Sequence, residues 1–157
     1  TMNQINIFTN SLFFTDQKDI EFKEQVNKTK TIDKVKFKKI IKKFVDNLTK
    51  NYNINSKIVS INNIQYVEDL KNETNLKLVK ENVLFQGLYM LDVAEDCGLI
   101  SFEKESEILA MHTDFISNFN FIARENTIVS IPYNIDFIMK KNNSDQKRKY
   151  IYFTLNL

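Results

Sequence analysis

VLFQGLYMLDVAEDCGLISFEKESEILAM, running from Val83 to Met111, is the stretch on which the fold turns. From Val83 to Ala94 nearly every residue is apolar, the interruptions being Gln86, Gly87 and Asp92. A helix apolar on all sides is buried on several of them, so this segment predicts a central helix from Asn75 to about Cys97. Gly87 in its middle costs about 1 kcal/mol relative to alanine, a cost that the close crossing of another element would offset. Cys97 ends the helix, Gly98 takes a left-handed cap, and Leu99 supplies the apolar contact that accompanies one. Ser101 is then the N-cap of a further helix, Phe102 to Phe119, with Glu103 and Glu105 favourably placed in its first turn.

Outward from this centre the pattern is clearer. Phe37, Ile40, Ile41, Phe44, Val45 and Leu48 recur at spacings of three and four, which predicts an amphipathic helix from Asp33 to about Asn51 with Asp33 as its N-cap. Lys34, Lys36, Lys38, Lys39, Lys42 and Lys43 fill its other face. Ile5–Phe14 predicts a short strand, Asp19–Asn27 one or two helical turns, and Lys57–Val67 a strand with broken alternation. Near the C-terminus Val129, Ile131, Tyr133, Ile135, Phe137 and Met139 alternate, as do Ile151, Phe153, Leu155 and Leu157. With the polar run KKNNSDQKRK between them they predict a long hairpin with a basic tip. Pro132 places its strand at an edge or a bulge. The expectation is a single α+β domain over residues 1–157: an antiparallel sheet of three to four strands, with a long C-terminal hairpin, packed against three main helices.

Lysine outnumbers arginine 20 to 2, and there are 20 asparagines, a bias expected of an AT-rich genome. Gly 2 and Pro 1 leave no glycine-rich loop to cradle a phosphate. The lone cysteine cannot form an internal disulfide, and Met2–Asn10 has neither the basic start nor the apolar core of a signal peptide. A cytoplasmic protein is expected, with Thr1 a remnant of a cleaved tag. No apolar run is long enough to span a bilayer. The 33–51 helix needs its apolar face to cover the sheet, so no membrane partner is expected.

Charge is segregated although the net charge is only +2. Lys18–Lys50 carries +6, residues 92–107 carry −5, and Lys140–Lys149 carries +4. Blocks of this size steer charged partners. Ala94, Gly98 and Leu99, followed by a second helix, a hairpin and a basic loop, resemble a winged helix in element order. That resemblance implies a nucleic-acid binder with Lys38, Lys42, Lys147, Arg148 and Lys149 on phosphates. Glu103, Glu105 and Glu107 at the start of the would-be reading helix argue for two packed core helices instead, because a polyanion repels them.

Catalytic signals are sparse. His112 is the only histidine, and its helical neighbours Ile108, Leu109, Phe115 and Ile116 are apolar. A Cys97–His112 pair needs an activated thiolate, which the acids around Cys97 oppose. Asp92 and Asp96 lack a third ligand, so neither a metal nor a cofactor is expected. Tyr133, Tyr150 and Tyr152 could stack on bases, though at alternate strand positions they are sheet cover. The expected function is that of a small non-catalytic binding or regulatory protein. It acts by charged-surface contact with a partner protein, as inhibitors, immunity and antidefence factors of phages, plasmids and viruses do; association into a homo-oligomer is compatible. The expected contact residues are Asp92, Glu95, Asp96 and Glu103 on the acidic side and Lys140, Lys141, Lys147, Arg148 and Lys149 on the basic side.

Overall fold

The computed structural model describes residues 8–11, 17–79, 82–104, 117–122, 124–132 and 136–157. In chain order the elements are β1 (Phe8–Ser11), α1 (Gln17–Thr29), α2 (Lys34–Asn51), a 3-10 turn (Ser56–Ile58), β2 (Ser60–Asp69), β3 (Phe85–Asp92), β4 (Leu99–Lys104), β5 (Ser117–Ile122), β6 (Thr127–Pro132), β7 (Asp136–Met139) and β8 (Arg148–Asn156). The strands form two sheets, β1-β6-β3-β8-β2 and β5-β4-β7. Among the described residues every pairing is antiparallel.

The helix predicted at 33–51 is α2. Asp33 Oδ1 accepts from the Val35 and Lys36 amides at 3.1 and 3.2 Å, capping donors that have no partner inside the helix. Phe37, Ile41, Phe44, Val45 and Leu48 are buried on one side. With Phe22 and Val26 of α1 they pack on Phe85, Tyr89, Ile151, Phe153 and Leu155, forming a helix-on-sheet core. The opposite face of the large sheet, including Leu88, Met90, Val129, Tyr150 and Tyr152, packs on Ile100 of β4 and Phe137 and Met139 of β7. The molecule is thus layered as helices, large sheet, small sheet, and β3 and β8 lie at the centre with both faces covered.

Two of the three expected main helices are overturned. Residues 75–97 do not form a helix: Phe85–Asp92 is β3, and a turn follows it. The segment from Ser101 does not open a helix either, because Leu99–Lys104 is β4, paired with β5 and β7. Among the described residues the main helices are α1 and α2. The physical reason lies in the burial of β3, where every residue from Phe85 to Leu91 is buried. A strand covered on both faces loses the apolar–polar alternation and reads as a continuous apolar run. The C-terminal hairpin is overturned as well. β6 and β7 belong to different sheets, and β8 pairs with β2 and β3. With them goes the winged-helix order, since Asp92–Leu99 is a crossing between two sheets. Residues 105–116 and Tyr133, including Glu105, Glu107 and His112, lie outside the described residues.

Gly87 does admit a close crossing, from another strand. It is paired with Phe153 across the β3–β8 ladder, and a Cβ at this position would run into the Phe153 ring. Folded over the glycine, that ring meets Phe37 of α2 edge-on, centroids 5.5 Å apart. β2 contains a bulge between Asn62 and Gln65, where Asn63 adopts φ 54°. The extra residue puts Ile61 and Ile64, three apart, on the same helix-facing side.

Candidate functional site

Three chain segments meet at one end of the large sheet: the loop after β2, the turn between β3 and β4, and the loop before β8. Arg148, the first residue of β8, is 1% exposed and Asp69, the last of β2, is 0% exposed. Arg148 Nε and Nη2 donate to Asp69 Oδ2 at 2.8 and 2.6 Å. Its Nη1 donates to the carbonyls of Cys97 and Lys140 at 3.0 and 2.8 Å, and the guanidinium lies 5.8 Å from the Tyr150 ring centre. Asp69 Oδ1 accepts from the Asn75 amide at 2.7 Å. Only this degree of satisfaction makes a buried ion pair tolerable, because desolvating each charge costs several kcal/mol.

Asn142, also fully buried, completes the junction. Its Nδ2 donates to the carbonyls of Asp69 and Gln146 at 3.0 and 2.8 Å, and its Oδ1 accepts from the Ser144 amide at 3.0 Å. Backbone bonds from Asn72 to Asn142 and from Asn142 to Glu73 lace the first loop to the third. Gln146 Nε2 donates to Asp92 Oδ1 at 2.6 Å, joining the third to the turn.

The acidic and basic segments of the sequence are therefore neighbours. Glu95, Asp96, Lys140, Lys141 and Lys147 are exposed, while Asp92 and Lys149 are half-buried. Arg148 is not a surface cation, since its guanidinium is enclosed by the junction. Glu103 sits on β4, at a register position opposite Asn118 and Asp136. The expected basic hairpin tip is a loop tied down at Asn142. Tyr150 and Tyr152 are each 0% exposed and offer no ring to a base. Cys97 is buried, and burial pushes its thiol up against the opposing charge of Arg148, the reverse of what a nucleophile needs. Among the described residues no three histidine, cysteine or acidic side chains are grouped to hold a metal ion. Nor is any described helix long and apolar enough to cross a membrane.

Lys38 and Lys42 are exposed on α2, with Lys34, Lys36, Lys39, Lys43 and Lys50. Beside the α1–α2 connection, Lys30 Nζ lies 3.6 Å from Glu68 Oε2, and the Tyr66 hydroxyl donates to Glu68 Oε1 at 2.9 Å. Burial alone would raise the Glu68 carboxyl; the Tyr66 bond and the charges of Lys30, Lys147 and Lys149 outweigh it and hold the carboxyl below its ordinary value. Glu68 is thus where the two basic blocks of the sequence approach each other.

Asp69 and Asn142 were missed as site-building residues. The available signal was Arg148 itself, an arginine opening an apolar strand in a chain that otherwise relies on lysine. Arginine is the cation suited to a buried pair. No known protein family matches the chain, and no curated protein matches it.

Proposed function

We propose that this chain is a non-catalytic binding protein whose loop end docks on a partner protein by charge complementarity. The observation that carries the reading is the Asp69–Arg148–Asn142 junction. It holds exposed charges of both signs, Glu95 and Asp96 beside Lys140, Lys141 and Lys147, on segments far apart in sequence. A surface of mixed sign suits another protein, whose charges alternate, and gives specificity and encounter rate. Loops fixed by buried hydrogen bonds lose little freedom on docking, which favours affinity. The burial of Cys97, Tyr150 and Tyr152 supports a binding role over chemistry.

The test is affinity capture from nuclease-treated extract of the source cells, using wild type and two charge-swapped forms, Glu95→Lys/Asp96→Lys and Lys140→Glu/Lys141→Glu/Lys147→Glu. A protein retained by wild type, released by added salt and lost from both variants supports the reading. Identical captures from all three overturn it.

A further inference from the structure

We infer that the outward face of α2 is a second, separate binding surface, for the phosphate backbone of duplex nucleic acid. Lys36, Lys39, Lys43 and Lys50, at spacings of 3, 4 and 7, lie opposite the buried Phe37, Ile41, Phe44 and Leu48. Lys38 and Lys42 flank this stripe. Seven lysines face one acid, Asp46, within the helix, and the first turn contains no acid at all. Like charges at i, i+4, as in the 38/42 and 39/43 pairs, and cations in the first turn both work against the helix.

Among the described residues the ion pairs are Lys23–Glu125, Lys30–Glu68, Lys71–Asp145 and Arg148–Asp69, and none includes a lysine of α2. At the loop end Lys140, Lys141 and Lys147 stand beside Glu95 and Asp96, whereas the lysines of α2 line one straight ridge with Asp46 as the single acid among them. From Lys36 to Lys50 it spans about 21 Å of helix, the axial rise of about six phosphates on one strand.

The chemistry of the ridge selects the occupant. Protein interfaces are anchored by aromatic residues, methionine and arginine and are poor in lysine. The outward stripe has no such anchor, and Val35, in the first turn, is the only large apolar side chain exposed on α2. Lysine is a mobile point charge that neutralises phosphates without reading sequence. The two aromatic residues of α2, Phe37 and Phe44, are buried, so the face has no platform for unstacked bases. A duplex backbone fits where a single strand or a protein does not. Lys30, Lys147 and Lys149 around Glu68 carry positive charge beyond the helix.

The experiment is fluorescence anisotropy with two duplexes of unrelated sequence, a single strand of equal length and a poly-glutamate peptide, titrated with NaCl. The forms compared are wild type, Lys36→Gln/Lys39→Gln/Lys43→Gln, and a control, Lys57→Gln/Lys71→Gln/Lys77→Gln, that removes the same charge elsewhere. The proposal expects both duplexes to bind alike, with log affinity falling linearly in log salt. The stripe variant should flatten that slope by about three, with the control slope near wild type. The ridge assignment is overturned by absence of duplex binding at low salt, by equal losses in both variants, or by preference for the single strand or the peptide. Both variants retain Glu95, Asp96, Lys140, Lys141 and Lys147, the charges on which the partner-protein reading rests, so failure here is separable from failure of that reading.

Discussion

Asp69 and Arg148 lie 79 positions apart, yet one oxygen of the first accepts two hydrogen bonds from the second in a water-excluded junction. Removing one partner leaves an uncompensated buried charge. Arg148→Met is expected to destabilise the protein by about 3–5 kcal/mol. The double variant Asp69→Asn/Arg148→Met should lose clearly less than the sum of the two single changes. Urea denaturation of the four proteins measures both; additive losses would show that the pair acts as two independent residues.

Gly87→Ala should destabilise by about 1–3 kcal/mol, as overpacking does, because the new methyl group meets the Phe153 ring. Shortening that ring in Gly87→Ala/Phe153→Leu should recover part of the loss relative to Phe153→Leu alone. Thermal unfolding of the set decides, and an unchanged midpoint for Gly87→Ala would remove the close crossing.

Asn53, exposed just past the end of α2, adopts φ 56° with its amide bonded to the Lys50 carbonyl. Glycine takes this conformation without strain. Asn53→Gly should therefore raise stability by a few tenths of a kcal/mol, and Asn53→Val should lower it by about 1–2 kcal/mol. Chemical denaturation checks the order Gly, Asn, Val.

Glu68 titrates below its ordinary value in the folded chain. A group with a depressed folded pKa contributes stability above its unfolded pKa and loses that contribution as pH falls through the folded one. Wild type should therefore exceed Glu68→Gln at neutral pH. The gap should close as the pH drops below about 4.5, the ordinary carboxylate range. A gap independent of pH would point to lost packing instead.

How legible the fold was depended on how many faces each element buries. α2 is covered on one side only, so its apolar residues keep helical spacing and Asp33 marks its start. β3 is covered on both sides and its apolar run has no period, so it suits a buried helix equally well; β8 is covered as fully, yet Ile151, Phe153 and Leu155 alternating with Tyr150, Tyr152 and Thr154 kept its strand signal. The broken alternation of β2 was a true signal of its bulge, recognisable only once Asn63 is known to be left-handed. Glycine is scarce, yet Asn53, Asn63, Asn72, Asn82 and Asn126 all take positive φ. Asparagine does glycine's work here, because its short polar side chain tolerates that region.

At the loop end, the exposure of Lys140, Lys141 and Lys147 followed from their charge. The burial of Arg148 did not, because its partner comes from the far end of another strand. Long-range pairings such as β2 with β8 leave no local trace either.

The bulge in β2 has a consequence for the protein in a crowded solution. β2 is the last strand of its sheet, and a flat ten-residue border would offer a ladder of unspent amides and carbonyls to any passing extended chain. The register shift at Asn63 interrupts that ladder partway along, which works against the addition of a foreign strand at this border.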